Sequence, residues 1–175
     1  MSVEIKELQV KALSAEAASD IFLHVQTKRA GKIKGEVTTK GHEDDIGVFT
    51  WGWGVAANTA IGSTLLTARR SYRNLVLTKG IDSASTALLS ALVSNDEVRE
   101  ATLTLRKGGG EAFEYFRMVL NDARIVAIDI EVHADGRPVE RVSIAFTKVE
   151  IEYRPQESKG SGGGASIFTD EVMPA

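Results

Sequence analysis

The segment 33–54 constrains the fold of this chain more than any other part of the sequence. Within it, residues 46–55 alternate between a small face and a face that carries Phe49, Trp51 and Trp53. A period of two is typical of a β-strand, whose successive side chains point to opposite faces of a sheet. The segment carries no catalytic group, metal cage or phosphate cradle. It therefore predicts a strand-built body rather than an active site.

Seven further segments have the alternation or the β-branched runs of strands. They are residues 20–25, 32–38, 70–79, 98–107, 113–120, 125–132 and 139–153. In the last of these the apolar phase changes near Thr147 and Lys148, which predicts a bulge or a change of buried face. Gly52 and Gly54 on the small face of 46–55 predict the close approach of another backbone.

One helix is expected over residues 83–95, with Ser83 or Ser85 as its cap. Its expected apolar stripe consists of Leu88, Leu89, Leu92 and Val93. Many strands joined by tight hairpins, with a single helix, predict an all-β-dominated fold. The expected architecture is a tight β-barrel of two antiparallel or mixed sheets with the helix packed alongside and one long extended loop.

Composition excludes several classes of function. The chain of 175 residues suits one domain, and its net charge of −3 with a pI near 5.7 argues against nucleic-acid and anionic-membrane surfaces. The absence of cysteine excludes disulfides and cysteine-ligated metals. Residues 1–18 interleave charged and apolar side chains and have no continuous apolar core, so we expect a cytoplasmic protein without a signal peptide, which leaves the cell only by a leaderless route.

The segment 56–68 is small and polar and has no clear period, which predicts a long loop. Loops of about 13 residues are uncommon and tend to be functional. Exposed apolar residues in such a loop are unfavourable unless a partner covers them. The candidate interface residues are Asn58, Ile61, Leu65, Leu66 and Arg69. Trp51 and Trp53 are expected in the core or at an interface rather than on a platform that stacks sugars or bases.

A search for catalytic or ligand-binding patterns returns none. His24, His42 and His133 fall on different predicted elements without a metal-binding spacing, so surface or structural roles are expected. Residues 43–45 predict a solvated acidic turn, and 108–110 a hairpin turn rather than a phosphate cradle. We therefore expect no catalytic residue, metal or cofactor. Two alternatives remain: a monomeric ligand-binding barrel, lipocalin-like or cupin-like, and an enzyme with a paired histidine and carboxylate.

From residue 20 to residue 156 the chain resembles the Hcp family, whose members form the inner tube of bacterial type VI secretion systems. The similar passages are IKGE at 33–36, KGHED at 40–44, WGWGV at 51–55, LVLTK at 75–79, ATLTLRKGG at 101–109 and SIAFTKVEIEY at 143–153. Their order and spacing carry the resemblance more than any single motif. The sequence divides accordingly into an N-terminal extension at 1–19, the Hcp-like domain at 20–156 and a flexible tail at 157–175.

The resemblance implies a β-barrel that assembles into homohexameric rings around a wide channel. It further implies stacking of rings into a tube inside a sheath, expulsion together with the spike, and effector proteins carried in the channel. The loop 56–68 corresponds to the family's extended loop, which contacts the neighbouring ring. Leu65 and Leu66 are then the expected anchors at that contact, because they are apolar residues in an otherwise polar loop.

Overall fold

The computed structural model describes residues 19–58, 62, 69–108, 112–156 and 163–172. Within these ranges the chain forms eleven strands and one helix, α1 at Ala84–Val93. The strands are β1 Ser19–Thr27, β2 Ile46–Gly47, β3 Thr50–Gly52, β4 Val55–Asn58, β5 Arg69–Tyr72, β6 Leu75–Gly80, β7 Val98–Lys107, β8 Phe113–Val132, β9 Pro138–Ala145, β10 Lys148–Tyr153 and β11 Ser166–Glu171. The all-β class with one flanking helix is confirmed.

Nine of the described strands form one antiparallel sheet in the order β2-β1-β7-β8-β9-β6-β3, with β10 and β11 attached beside β8. Strands β4 and β5 form a separate two-stranded hairpin. Among the described residues the large sheet does not close, because it ends at β2 on one side and at β3 on the other. The hydrogen-bonded strands therefore form an open, strongly bent sheet where a closed barrel was expected.

The long strand β8 joins the two halves of the sheet. Its first half pairs with β7 and β10, and its second half pairs with β9. The change occurs at Asp122, whose φ of 47° lies in the left-handed region. The predicted irregularity near Thr147 is confirmed as the break between β9 and β10, where the Thr147 hydroxyl donates to the Asp122 carbonyl at 2.9 Å.

The core is aliphatic and lies between the bent sheet and α1. Its fully buried members include Leu23, Leu77, Leu88, Leu103, Met118 and Ile144. The expected helical stripe is only partly correct: Leu88 is buried, whereas Val93 is 81% exposed. The buried face instead carries Ala84, Leu88 and Ala91. Ser83 occupies the N-cap position, as predicted, but its side chain makes no capping bond, and the Asp82 carboxylate accepts from the Ala84 amide at 3.0 Å.

The predicted strand 46–55 is divided because its two ends pair with different neighbours. β2 pairs with β1, whereas β3 pairs with β6. Between them the Val48 amide donates to Ile21 and the Phe49 amide donates to Thr78. Phe49 is consequently 60% exposed and does not share a buried face with the tryptophans. The predicted strand 70–79 is similarly broken, between β5 and β6.

The predicted strand 32–38 is wrong apart from a single bridge between Lys32 and Gln26. The segment folds back on residues 44–45 through backbone bonds of Gly35 and Val37. It belongs to a loop, 33–45, that reaches across the outer side of β1 toward β7 and β8, where His42 stacks on Phe22 and contacts Glu114. Thr102 and Thr104 of β7 are only 7% and 5% exposed.

Part of the expected flexible tail is a strand. β11 pairs antiparallel with all of β10, from Lys148 opposite Glu171 to Tyr153 opposite Ser166. Residues 157–162, most of the predicted N-terminal extension and part of the 108–110 turn lie outside the described residues. The proposed division into extension, body and tail stays a prediction.

Candidate assembly surface at the hairpin and the C-terminal strand

The β4–β5 hairpin is attached to the body through an aromatic cluster. Trp53, which follows β3, lies 5.8 Å from Tyr72 and 6.3 Å from Phe146 between ring centroids. Tyr72 and Phe146 meet edge to face at 5.9 Å. Such aromatic pairs contribute about 0.5–1.5 kcal/mol beyond the area they bury. The base of the hairpin is therefore fixed to the main sheet.

Gly52 and Gly54 have different surroundings. At neither position would an added Cβ atom lie against the backbone of another segment, although the sequence predicts this. A Cβ atom added to Gly52 would have nothing within 4 Å. A Cβ atom added to Gly54 would lie 2.2 Å from the Arg73 guanidinium. Close backbone approach occurs elsewhere, at Gly35, where an added Cβ would lie 2.3 Å from the Asp45 carbonyl oxygen.

The C-terminal strand holds the hairpin through one carboxylate. Asp170 of β11 accepts a hydrogen bond from the Tyr72 hydroxyl and forms an ion pair with Arg70 at 2.7 Å. The Tyr72 hydrogen bond lowers the pKa of Asp170 below its ordinary value, against a smaller opposing effect of burial. Burial, followed by the nearby Asp170 carboxylate, raises the pKa of Tyr72. The pair is thus a neutral hydroxyl that donates to an ionised carboxylate.

The sequence-predicted interface residues fall at and beyond the end of this hairpin. Asn58 is the last residue of β4 and lies opposite Arg69, the first residue of β5. Ile61, Leu65 and Leu66 lie outside the described residues. The role of this set at an interface stays a prediction.

Trp51 and Trp53 are both partly buried and pack against the core. Trp51 stacks on Phe116 with ring centroids 5.5 Å apart and an interplanar angle of 30°. The indole nitrogen of Trp53 is buried, and no described residue accepts its hydrogen bond. Both side chains therefore face the body of the protein on the side from which the hairpin extends.

A second polar site surrounds Asp45, and the sequence analysis missed it. His24 from β1 and His42 from the loop contact its two carboxylate oxygens at 3.1 and 3.0 Å, and Lys32 lies at 3.0 Å. The other ring nitrogen of His42 lies 2.7 Å from Glu114 of β8. Two histidines that were assigned to unrelated elements therefore meet at one carboxylate. Their spacing along the chain contains no signal of this, because the fold alone brings β1 and the loop together.

Asp45 is 5% exposed, and its ionisation follows from its neighbours. Burial alone would raise the pKa of Asp45, but the hydrogen bonds from Lys32, His42 and His24 outweigh it and hold the pKa below its ordinary value. The cluster fixes the loop to the sheet through charge-assisted hydrogen bonds. In the part of the chain that the structure describes, no three His, Asp or Glu side chains are placed so that they could hold a metal ion.

A buried ion pair lies beneath the N-terminus of α1. Lys79 of β6 and Glu140 of β9 are 0% and 1% exposed, with 2.5 Å between Nζ and Oε2. Asp82 and the Ser85 hydroxyl contact the same pair at 2.8 and 2.9 Å. Its surroundings are closed, so its role is structural. Among the described residues, no helix is long and apolar enough to cross a membrane.

Among the described residues, a bent antiparallel sheet with one flanking helix and a separate two-stranded hairpin defines a class of strand-built protein. The sequence model of the family described as "Type VI secretion system effector, Hcp" matches residues 22–153. The chain belongs to this family, as the sequence resemblance predicted. The match includes β3 to β6, and therefore the hairpin.

Individual relatives agree with the family match. The chain is 29% identical over 154 residues to Protein hcp1 of Pseudomonas aeruginosa, which covers 86% of this chain and 92% of the relative. Hcp1 from Salmonella typhimurium has a similar structure, with a TM-score of 0.69 at 26% identity and coverage of 88% of this chain and 94% of that one. A solved type six secretion system protein has the same fold, with a TM-score of 0.78 at 24% identity over 89% and 96% of the two chains.

Proposed function

We propose that this chain is a structural, ring-forming subunit of the inner tube of a type VI secretion system. Six copies close into a ring around a channel, and rings stack within the sheath. The observation that most supports this proposal is the family match across residues 22–153, which spans the body of the sheet and both strands of the hairpin. The Lys79–Glu140 pair is closed to solvent, and Asp45 and His42 are only 5% and 8% exposed, which favours a structural role for these groups over an enzymatic one.

Ring closure is proposed to use the free edges of the sheet. Among the described strands only β10 pairs with β11, so its outer edge is free there, and Ile167 and Phe168 are 61% and 46% exposed. An exposed, partly apolar edge strand favours pairing with another chain. In a closed cyclic assembly each copy covers an edge of its neighbour, so this unfavourable exposure is removed.

The tube is proposed to leave the cell with the spike when the system fires, after synthesis in the cytoplasm. Effector proteins are the proposed cargo of the channel, while the sheath and spike are the proposed partners outside and at the tip. A secretion assay tests this: the protein should reach the medium from cells with a working system and stay inside cells that lack the sheath. Equal export from both cells would contradict the proposal.

The assembly itself is tested by light scattering combined with negative-stain microscopy of the same sample. A mass of about six chains with ring-shaped particles is expected. The double variant Leu65→Asp, Leu66→Asp should keep that mass and lose stacked rings. Unchanged stacking in this variant would show that the two leucines do not form the contact between rings.

The second candidate function is a monomeric binder of small ligands. It is favoured by a groove of about 400 Å³, a volume within the range of small-molecule sites. A monomeric mass at high protein concentration would support this function and would contradict ring formation.

A further inference from the structure

The tip of the loop 33–45, residues 38–43, is joined to the sheet through one side chain. Among the described residues, the hydrogen bonds, ion pairs and ring contacts between this tip and the strands all involve His42. Its imidazole stacks on Phe22 of β1, with ring centroids 4.1 Å apart and the planes inclined by 13°. One of its ring nitrogens lies 2.7 Å from Glu114 of β8. The place of the tip on the sheet therefore depends on His42.

Both ring nitrogens of His42 face carboxylate oxygens. Nδ1 lies 3.0 Å from Asp45, and Nε2 lies 2.7 Å from Glu114. A neutral imidazole has one N–H donor and one acceptor, whereas the imidazolium ion has two donors. While both carboxylates are ionised, only the imidazolium ion satisfies both contacts, because the neutral ring would place a nitrogen lone pair against a carboxylate oxygen. The closed position of the tip therefore requires a proton that a neutral histidine lacks.

Charged side chains from every neighbouring element surround His42 and the groups that it contacts. They are Glu43 and Asp45 of the loop, Lys32 before it, Asp20 and His24 of β1, Arg106 of β7 and Glu114 of β8. Lys32 already compensates Asp45, at 3.0 Å. Arg106 lies opposite Glu114 in the sheet but pairs with Asp20, at 2.7 Å. Among the described residues, His42 is therefore the cation that Glu114 pairs with.

We infer that His42 is a pH-dependent latch, which holds the tip 38–43 on the sheet while it carries two ring protons and releases the tip when it loses one. The contact that opens is the one to Glu114, whose side chain is 50% exposed and whose carboxylate water can solvate. The Asp45 side chain is 8% exposed and keeps the remaining N–H. Release uncovers Phe22, which is 5% exposed in the closed form and lines the neighbouring groove together with Phe49. The latch thus controls how much apolar surface the groove presents.

The tip should open as the pH rises. A free imidazole loses its proton near about pH 6.5. Below that value the open and the closed tip both carry the proton, so opening does not depend on pH until the carboxylates titrate. Above it, closing the tip takes up one proton that the open tip has released. The equilibrium constant for opening should therefore rise by up to about tenfold for each pH unit.

Amide hydrogen exchange in peptides that cover residues 38–43 measures this opening. A synthetic peptide of residues 36–47 provides the direct effect of pH on exchange, so that protection factors can be compared. In the full-length protein, the protection of the tip should fall by at least about tenfold between about pH 6 and about pH 8.5. Protection that stays constant over this range would overturn the inference.

Glu114→Gln separates the charge from the contact. The new amide group can donate to the neutral Nε2 of His42, so the tip should stay closed at about pH 8.5, with at least about tenfold more protection than in the wild type. Glu114→Ala removes the partner and should leave the tip open at every pH. His24→Gln is the matched control, because His24 contacts the other oxygen of Asp45, at 3.1 Å. A pH dependence that survives Glu114→Gln, or that disappears in His24→Gln, would overturn the inference.

Discussion

Asp170 in the last strand accepts a hydrogen bond from the hydroxyl of Tyr72, whose ring lies at the base of the β4–β5 hairpin. The two residues are 98 positions apart in the chain. The same carboxylate also binds Arg70, so two residues of β5 depend on one residue of β11. The matched family segment ends at residue 153, before β11 begins. Residues outside that segment therefore stabilise the orientation of the hairpin.

Replacing Tyr72 by Phe should loosen the hairpin while the body stays folded. The substitution keeps the ring that packs on Trp53 and Phe146 and removes only the hydroxyl that binds Asp170. Amide hydrogen exchange should become faster in β4 and β5 and remain unchanged in β7. Thr169→Ala is the matched control, because Thr169 is exposed on the opposite face of β11. Exchange that accelerates equally in both variants would show that Asp170 does not hold the hairpin.

Gly35→Ala should destabilise the protein, because the added Cβ would lie 2.3 Å from the Asp45 carbonyl oxygen and 2.8 Å from the Ile46 Cα. Both atoms belong to the backbone, so the contact is relieved only by moving the loop away from β2. Overpacking of this kind typically costs about 1–3 kcal/mol. Urea unfolding measures the effect, with Gly52→Ala as the control, since that Cβ would meet nothing within 4 Å. Equal unfolding midpoints for the two variants would contradict the prediction.

The Lys79–Glu140 ion pair should contribute little net free energy of unfolding, whereas removing only one of its two charges should be strongly destabilising. Lys79→Met leaves the buried Glu140 carboxylate without its cation, and such a change typically costs about 3–5 kcal/mol. Lys79→Met combined with Glu140→Leu removes both charges and should recover most of that loss. The free energies of unfolding in urea give the comparison. A double variant less stable than the single one would show that the ion pair itself contributes net stability.

The sequence predicts well those strands that keep the same neighbours along their length, as β7 does between β1 and β8. β7 was expected at residues 98–107 and occurs there, and the break near Thr147 was visible as a change of apolar phase. The division of 46–55 was not visible. Alternation tells which side of a strand is apolar, but it does not tell which strand provides the hydrogen bonds, and here the partner changes from β1 to β6 at Val48 and Phe49.

The polar features of the site were missed for a related reason. Lys79, Glu140 and Asp45 are charged residues, which the sequence assigns to solvent, yet each is at most 5% exposed because a partner from a distant element neutralises it. Thr102 and Thr104 are buried on β7, and Phe22, which lies opposite Thr104, stacks on His42 of the loop 33–45. β11 follows a glycine-rich segment, and besides pairing with β10 it contacts Tyr72 and Arg70 through Asp170. Contacts of this kind leave no local pattern in the sequence.

Asp45→Asn should destabilise the protein at neutral pH and lose its effect in acid. The aspartate holds Lys32, His24 and His42 through charge-assisted hydrogen bonds, so replacing it should cost about 1.5–3 kcal/mol near pH 6. The folded-state pKa of Asp45 is below the ordinary value of 3.8, so the unfolded chain takes up the proton first as the pH falls. The contribution is therefore fully present above about pH 4 and is lost as the pH falls through the folded-state pKa.

Urea unfolding between about pH 6 and about pH 3 should show the wild-type and Asp45→Asn stabilities converging in acid. Asp44→Asn is the matched control. Asp44 is next to Asp45 in the chain, its side chain is 57% exposed, and its φ of 63° suits asparagine. The control should follow the wild-type curve across the whole range. A constant difference between Asp45→Asn and wild type at every pH would mean that shape, rather than the charge on Asp45, holds the loop on the sheet.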